Sequence, residues 1–259
     1  MPHPSAVTQT LERGLQLLRA FRGERKPLSG AELVRRTGIS RSSVSRLTIT
    51  LVNLGYLRRV SGGSELELAV GGLSIGFAYV KANPITQRVH PSMQDLADQL
   101  DAIVALAVPD GLDMLYLACR NSRQITTLPL NIGSLLPMAN TAIGRAWLWA
   151  LPLGERTRYL DRVLNAAGPG AEDVRQSITR SFDELATTGV CSVSNGYRRN
   201  TYGVALPLRA GRSRTLMALN CGMVGRAPDI TTIRDRIAPA LRKTAEDITT
   251  LLRDVNTEL

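Results

Sequence analysis

Apolar residues recur every three or four positions in the N-terminal part of the chain, the spacing that places them on one face of a helix. The first predicted helix carries such a face, formed by Leu11, Leu15, Leu18 and Phe21. The third predicted helix carries another, formed by Val44, Leu47, Leu51 and Leu54. A shorter helix lies between them. This pattern predicts three helices packed around one small core.

Local signals set the ends of these helices. Ser29 followed by Glu32 is a capping box for the second helix, which Gly38 ends, and Ser40 can cap the third helix. Residues 56–68 then hold two short runs of strand character around a glycine turn, which predicts a small hairpin. Two helices joined by a tight turn, with a hairpin directly after them, are typical of a winged helix-turn-helix.

The remaining chain mixes helices with strands. Gly71 to Lys81 predicts an apolar helix suited to link two domains, and two apolar runs around Asp110-Gly111 predict a strand hairpin. The segment QITTLPL and three later apolar runs predict further strands, and a long C-terminal helix is expected from Asp229 to Leu259, kinked near Pro239. Helices before, between and after hairpins predict an α+β domain with an antiparallel sheet.

The charge of the chain is concentrated at its beginning. Residues 1–60 contain eleven Lys and Arg against three Asp and Glu, a net charge of +8, whereas the other 199 residues carry 21 basic and 19 acidic side chains, a net charge of +2. This distribution favours a polyanion as partner of the N-terminal part. The chain has neither an apolar run long enough to span a membrane nor a secretory signal pattern at its start, so we expect it in the cytoplasm.

The sequence contains few candidate residues for catalysis or metal binding. The three cysteines, Cys119, Cys191 and Cys221, lie far apart, and the two histidines share no neighbourhood with a cysteine or an acidic cluster. We therefore expect no metal, no cofactor and no enzymatic activity. The rival hypothesis, an enzyme with a cysteine nucleophile, lacks an evident base and leaves the basic N-terminal part unexplained.

The start of the third helix carries a cluster of serines and arginines without an acidic residue. With the apolar face turned to the core, Ser42, Ser45 and Arg46 point outward, where they can contact base edges in the major groove of DNA. Arg41 and Ser43 lie in the first turn, which favours phosphates. If the serines only capped the helix, Ser40 alone would suffice. Arg58 and Arg59, in the predicted wing, are expected to contact phosphates, whereas Arg35 and Arg36 can form a solvated helix face.

Several segments resemble the IclR (isocitrate-lyase-regulator) family of bacterial transcription factors. They are TLERGLQLLRAF, LSGAELVRRTGISRSSVSRLTITLVNLGYL, GSLLPMANTAIGRA and VALPL, in this order along the chain. The resemblance implies a winged helix-turn-helix at residues 8–70, a linker helix at 71–82 and a GAF/PAS-like effector-binding and oligomerisation domain at 83–257. It also implies a homodimer or tetramer on a (pseudo)palindromic operator in double-stranded DNA, acting as repressor or activator.

The resemblance also implies a ligand pocket between the sheet and the segment that begins near Gly133. Its expected residues are Met138, Thr141, Ala142, Ile143, Val193, Gly203, Asn220 and Gly222. Relatives often carry cysteine or serine where this chain has Gly203, and an arginine where it has Leu135. The ligand can therefore differ from the small oxo-acids of some members. Arg198 and Arg199 can either supply charge to a carboxylate or form a solvated loop pair.

Taken together, these features predict a ligand-responsive DNA-binding transcriptional regulator. Its effector is expected to be a small organic or aromatic acid, and its target a metabolic or catabolic operon. The alternative is a constitutive DNA-binding protein whose C-terminal domain only oligomerises.

Overall fold

The computed structural model describes residues 8–22, 26–60, 62–123, 130–225 and 227–258. The chain divides into two units, Met1–Ala82 and Asn83–Leu259. The helices are α1 (Gln9–Arg19), α2 (Gly30–Thr37), α3 (Arg41–Asn53), α4 (Gly71–Ala82), α5 (Pro84–Leu100), α6 (Ala142–Trp149), α7 (Leu153–Ala167), α8 (Ala171–Thr188), α9 (Ile230–Thr232) and α10 (Ala238–Leu251). The strands are β1 (Leu57–Arg59), β2 (Leu66–Leu68), β3 (Ile103–Asp110), β4 (Asp113–Asn121), β5 (Leu135–Pro137), β6 (Cys191–Ser194), β7 (Thr201–Ala210) and β8 (Thr215–Val224).

In the first unit, the predicted capping residues start α2 and α3. The Ser29 hydroxyl accepts a hydrogen bond from the Glu32 N–H at 3.2 Å, and the Ser40 hydroxyl accepts one from the Ser43 N–H at 3.4 Å. Gly38 ends α2 in the left-handed conformation, with φ at 68°, which glycine adopts without a steric penalty. These local contacts hold the turn between the two helices in place.

The apolar face predicted for α1 is wrong in its first half. Leu17 and Phe21 enter the core, whereas Leu11 and Leu15 remain 64% and 53% exposed. α1 packs on α3 at Gly14, where an added Cβ would lie 3.9 Å from Leu47. Because this neighbour selects the buried face, the leucines at the start of α1 are left outside. Leu54, which was expected in the core, is also exposed.

The predicted wing is a two-stranded antiparallel hairpin directly after α3. Leu57 pairs with Leu68, and Arg59 pairs with Leu66. Leu28, ahead of α2, adds backbone hydrogen bonds to Leu66 at 2.8 and 2.9 Å. Leu57 and Leu66 are buried, so the hairpin packs on the same core as the helices.

α4 occupies the predicted apolar segment, but none of its residues is buried. Its start is held against the end of α3, since the Gly71 N–H donates to the Gly55 carbonyl at 3.1 Å. Large apolar side chains on the rest of the helix are exposed, among them Leu73, Ile75 and Phe77.

The second unit contains a six-stranded antiparallel sheet in the order β5-β4-β3-β8-β7-β6. The hairpin predicted around Asp110-Gly111 is β3 and β4, and β7 and β8 form the long central hairpin. Nearly all of the segment QITTLPL lies outside the described residues. β5, further along the chain, pairs with the side of β4 that faces away from β3.

Each face of the sheet has its own core. One face packs against α5 and α10, with Leu106, Leu206 and Leu219 at its centre. The other face packs against α6 and α8, and its strand positions are mostly small.

The C-terminal helix is shorter than predicted, because α10 ends at Leu251. A wider helical turn over Ile233–Ile237 separates α9 from α10 and ends two residues before Pro239. Proline has no N–H for the regular helical ladder, which accounts for an irregular turn at the predicted place.

Candidate DNA-binding surface and ligand pocket

α3 presents an exposed polar face opposite its buried one. Val44, Thr48 and Leu51 are buried, and the predicted contact residues lie on the other side of the helix. Arg41, Ser42, Ser45 and Arg46 are all exposed. The arginines are available to a partner because no acidic side chain lies in the first turn.

Two grooves run along the sides of α3. One, between α3, the start of α2 and the wing, is lined by Arg41, Ser45 and Arg59. The other, between α3 and α1, is lined by Ser43 and Arg46. Among the other lining residues are two that the sequence did not single out and that matter for a DNA contact. Arg13 on α1 lies in the second groove and Gly30 at the start of α2 in the first.

The remaining predicted residues of this surface differ in their surroundings. Arg58 forms an ion pair with Glu67 across the wing at 2.7 Å, so part of its charge is compensated. The Ser43 hydroxyl accepts a hydrogen bond from Ser40 at 3.0 Å and therefore supports the cap.

Arg35 and Arg36 form a charged cluster on α2. Both pair with Glu32, whose pKa they lower to about 2, with the Arg35 hydrogen bond contributing most. The carboxylate ties both guanidinium groups to the surface of α2.

A small pocket lies on the α6 face of the sheet in the second unit, and we call it the sheet pocket. Its cavity volume is about 50 Å³, several times the ~10–15 Å³ that one water needs. It is lined by residues of β4 to β8, of the segments on either side of β5, of the α6 start and of the β6–β7 loop. They are Tyr116, Leu130, Leu136, Asn140, Thr141, Ala142, Val193, Gly196, Tyr197, Thr201, Tyr202, Gly203, Asn220, Gly222 and Met223. None of these described lining residues is Lys, Arg or His.

Small residues on the central strands make room for this pocket. Gly203 pairs with Gly222, and in the next row Asn220 lies between Ala105 and Ala205. An added Cβ at Gly203 would reach Ala142 at 3.5 Å, so the space between the sheet and α6 exists because residue 203 has no side chain.

The start of α6 faces the pocket without a side-chain cap. Thr141 occupies the cap position, but its hydroxyl donates to the Pro137 carbonyl at 2.7 Å instead of accepting from the helix. The first-turn N–H groups of an uncapped helix attract an anion. Thr141 therefore occupies the cap position of α6 without forming the capping hydrogen bond.

A buried arginine fixes α6 in this position. Arg145 donates to the Ala139 carbonyl at 2.8 Å and to the Ser177 carbonyl and Ser181 hydroxyl on α8, both at 3.0 Å. Burial lowers the pKa of its guanidinium. These bonds join α6 to α8 and to the segment before it, so that this pocket wall is held by two neighbouring parts of the chain.

Six of the eight predicted pocket residues line the sheet pocket, namely Thr141, Ala142, Val193, Gly203, Asn220 and Gly222. Met138 and Ile143 are instead buried in the core beside it. Arg198 and Arg199 are exposed, with the Arg198 guanidinium 5.4 Å from the Tyr197 ring centroid. The sequence did not point to Tyr116, which lies in an ordinary strand pattern and reaches the pocket only through the sheet register.

The three cysteines are buried thiols with raised pKa values. Burial is the main cause, and it raises the pKa of Cys119 and Cys221 to about 12. Cys191 donates to the Ala142 carbonyl at 3.4 Å and helps to hold α6. Thiols in this state are poor nucleophiles.

Within the described residues, no three His, Cys, Asp or Glu side chains come together in a way that could hold a metal ion. No helix in that part of the chain is long and apolar enough to cross a membrane.

Two parts of the chain match known protein domains. Residues 10–61 match the IclR helix-turn-helix domain, and residues 77–250 match the C-terminal domain of bacterial transcriptional regulators of the IclR type. The chain belongs to the IclR family. As an IclR-family member it is a DNA-binding transcriptional regulator that responds to a small-molecule ligand.

Curated relatives of this IclR-family protein regulate transcription. The Pca regulon regulatory protein of Pseudomonas putida is 28% identical over 242 residues, covering 92% of this chain and 82% of the relative. The p-hydroxybenzoate hydroxylase transcriptional activator of Acinetobacter baylyi is 23% identical, covering 97% of this chain and 96% of the relative.

Solved structures share the whole fold. An IclR family transcriptional regulator from Brucella abortus has a TM-score of 0.88 and 32% identity, covering 96% of this chain and 94% of that one. An IclR homologue from Microbacterium hydrocarbonoxydans, solved in complex with 4-hydroxybenzoate, has a TM-score of 0.65 and 19% identity, covering 94% and 98%. At 19% identity, the similarity to the Microbacterium hydrocarbonoxydans protein shows that the two proteins share a fold.

Proposed function

We propose that this regulator senses a small aromatic acid in the sheet pocket and controls a catabolic operon by binding its operator with α3 and the wing. The observation that carries the effector assignment is the combination of an uncharged, tyrosine-lined pocket with the uncapped start of α6. The family relationship supports both halves of the proposal.

On DNA, α3 enters the major groove. Ser42, Ser45 and Arg46 face base edges, and short hydroxyls allow the helix to approach closely. Arg41, Ser43 and Arg59 contact phosphates, and Arg58 does so with reduced charge because Glu67 is its neighbour. Arg13 joins this set from α1, since it lines the same groove as Arg46.

In the pocket, the ligand carboxylate lies at the α6 start and its ring lies against the apolar and tyrosine side chains. The first-turn N–H groups supply the anion site that no basic lining residue provides. Two relatives support an aromatic compound as the effector. One relative activates the gene of p-hydroxybenzoate hydroxylase, and one structural neighbour holds 4-hydroxybenzoate.

The protein binds DNA as a dimer of two identical chains. The exposed apolar residues Leu73 and Phe77 on α4 and Leu11 and Leu15 on α1 form surfaces that a second copy can bury. A dimer also matches a palindromic operator, because each of its two DNA-binding domains can bind one of the two symmetric half-sites.

Residues 8–70 act as the DNA-binding domain, 71–82 as the linker and 83–257 as the effector-binding and oligomerisation domain. The protein has no catalytic role, as its thiols are buried with raised pKa values and its relatives regulate transcription. It works in the cytoplasm, where its DNA is. Ligand binding shifts the balance between states of the dimer by no more than its preference for one of them.

The first experiment is an electrophoretic mobility shift on the DNA upstream of the protein's own gene. Binding is measured at two salt concentrations, alone and with benzoate, 4-hydroxybenzoate, 3,4-dihydroxybenzoate, pyruvate or glyoxylate. We expect a specific shift that weakens with salt and changes with an aromatic acid. Unrelated DNA of equal length serves as the control.

The outcomes distinguish a ligand-responsive regulator from a constitutive DNA-binding protein. A specific shift that no acid changes favours the constitutive DNA-binding protein and contradicts an aromatic effector. A response to pyruvate or glyoxylate alone would place the effector among the aliphatic oxo-acids instead.

A further inference from the structure

One large apolar side chain lies on the polar outward face of α3. Ile49 is 51% exposed, and it follows Arg46 by three residues and Ser45 by four. It also follows Ser42 by seven residues, which is close to two full turns of the helix. Residues at these spacings share one side of a helix. Ile49 is therefore in line with the side chains that are proposed to face base edges.

The core of the first unit does not account for this isoleucine. Val44, Thr48 and Leu51 form the buried face of α3, and Ile49 does not belong to the apolar cluster that the described residues of this unit form. A β-branched side chain also forms helix less readily than alanine. Neither core packing nor helix propensity therefore favours isoleucine at this position.

The groups around Ile49 indicate the kind of partner that would cover it. α3 contains no acidic residue, and the grooves along its two sides are lined by arginines, Arg41 and Arg59 in one and Arg13 and Arg46 in the other. An apolar group flanked by cations fits a partner that carries phosphates at its edges and an apolar group between them. The major groove of DNA has this arrangement.

The apolar group that a base edge offers in the major groove is the C5-methyl of thymine. Along α3, Ile49 lies about 10 Å beyond Ser42, at about 1.5 Å per residue. This length corresponds to about three base-pair steps of about 3.4 Å, so both residues can reach bases of the same half-site. A cytosine at the same place would turn its amino donor toward hydrocarbon and leave it unpaired.

We infer that Ile49 determines operator specificity by packing against the C5-methyl of one thymine in each half-site. Arg46 would recognise its base through hydrogen bonds, whereas Ile49 recognises a thymine by excluding water from two apolar groups. This inference rests on the proposed function, since it takes α3 as the helix that enters the major groove.

The test removes single methyl groups from the operator that the mobility-shift experiment identifies. Each thymine of one half-site, together with its symmetric counterpart, is replaced by deoxyuridine, which lacks only the C5-methyl. Dissociation constants are measured by fluorescence anisotropy for the full-length wild type and for Ile49→Ala. We expect one position at which the replacement weakens wild-type binding by about tenfold, because two methyl contacts are lost. At that position the replacement should change the affinity of Ile49→Ala by less than about twofold.

A second arm restores the methyl group on another base. Cytosine at the identified position should weaken wild-type binding, and 5-methylcytosine should recover part of the affinity, because it carries a methyl at the same place in the groove. Ile49→Ala should bind the two operators equally. This arm separates the methyl contact from a change in the stiffness of the DNA, which would affect both proteins alike.

Two controls accompany Ile49→Ala. Ile230→Ala makes the same change at an isoleucine of the second unit that is 80% exposed, and it should keep the wild-type dependence on the thymine methyl. The melting temperature of Ile49→Ala should equal or exceed that of the wild type, because a half-exposed isoleucine is replaced by a better helix former. The loss of methyl dependence then reports on the contact with DNA.

Three results would overturn the inference. Wild-type binding could be insensitive to every thymine methyl, or Ile49→Ala could keep the wild-type preference. Alternatively, Ile49→Ala could weaken dimerisation of the free protein in analytical ultracentrifugation, which would place the side chain against a second copy. If Arg46→Ala weakens specific binding while Ile49→Ala does not, only this inference fails. If neither variant changes binding, the proposed role of α3 fails as well.

Discussion

At the scale of single residues, arginines that look alike in the sequence lie in opposite surroundings. Arg46 on α3 is exposed, whereas Arg145 on α6 is buried and bonded to two carbonyl oxygens and a hydroxyl. The exposed position of Arg46 could be predicted from its helix face. The role of Arg145 could not, because its partners on α8 are more than thirty residues away in sequence.

Replacing Arg46 with alanine tests the DNA-binding face. We expect Arg46→Ala to weaken specific operator binding by about 1–3 kcal/mol per bound subunit and to relax the sequence preference at the contacted base. Fluorescence anisotropy on the operator and on single-base variants measures both effects. Arg175→Ala is the control, because it removes the same charge from an exposed site on α8. Unchanged affinity and preference in Arg46→Ala would refute the base contact.

At the scale of elements, the position of α6 depends on a glycine within its first turn. An added Cβ at Gly144 would overlap the backbone of Met138, so the helix and the segment before it approach more closely than any side chain permits. No local pattern in the sequence indicates this contact. Most strands of the sheet were predicted from local patterns, whereas the order that brings β8 beside β3 was not.

A substitution at this glycine should therefore disturb the second unit. We expect Gly144→Ala to lower its stability by about 1–3 kcal/mol, as overpacking does, and its melting temperature by about 2–4 °C per kcal/mol. Differential scanning calorimetry measures the change.

Gly154→Ala is the matched control, because it also lies in the first turn of a helix but has open space around it. It should melt at or slightly above the wild-type temperature, since alanine favours helix. Equal melting temperatures for all three proteins would show that α6 can shift without cost.

At the scale of the whole molecule, the exposed apolar surface of the first unit is the feature that a single chain leaves unexplained. Leu73 and Phe77 on α4 are 69% and 56% exposed. They lie four residues apart and therefore on one side of the helix. Each Leu that a partner buries contributes roughly 1.5–3 kcal/mol, which is enough to make self-association depend on a few side chains.

We propose that two copies of the chain pair through this surface, so a charge on it should separate them. We expect Leu73→Glu to weaken dimerisation by at least about tenfold in analytical ultracentrifugation and to reduce affinity for a two-half-site operator toward that for one half-site. Leu153→Glu is the control, since residue 153 is a comparably exposed leucine at the start of α7, where an acidic side chain is tolerated. Unchanged dimerisation and operator affinity in Leu73→Glu would contradict pairing through α4.

The sequence by itself determined the features that depend on neighbouring residues. The helices of the first unit, their serine caps, the wing and most strands follow from spacing, capping and turn chemistry, which act over a few residues. The polar face of α3 follows from the same periodicity. The resemblance to a family added the segment around α6 as part of a pocket.

Only the tertiary structure decided which surfaces meet. It left Leu11 and Leu15 exposed because α1 packs on α3 through another face, and it buried Met138 and Ile143 beside the pocket. It also brought Tyr116 on β4 to Asn220 on β8, although β3 lies between these two strands. Such contacts join residues far apart in the chain, and their geometry depends on sheet order and register, which local patterns do not encode.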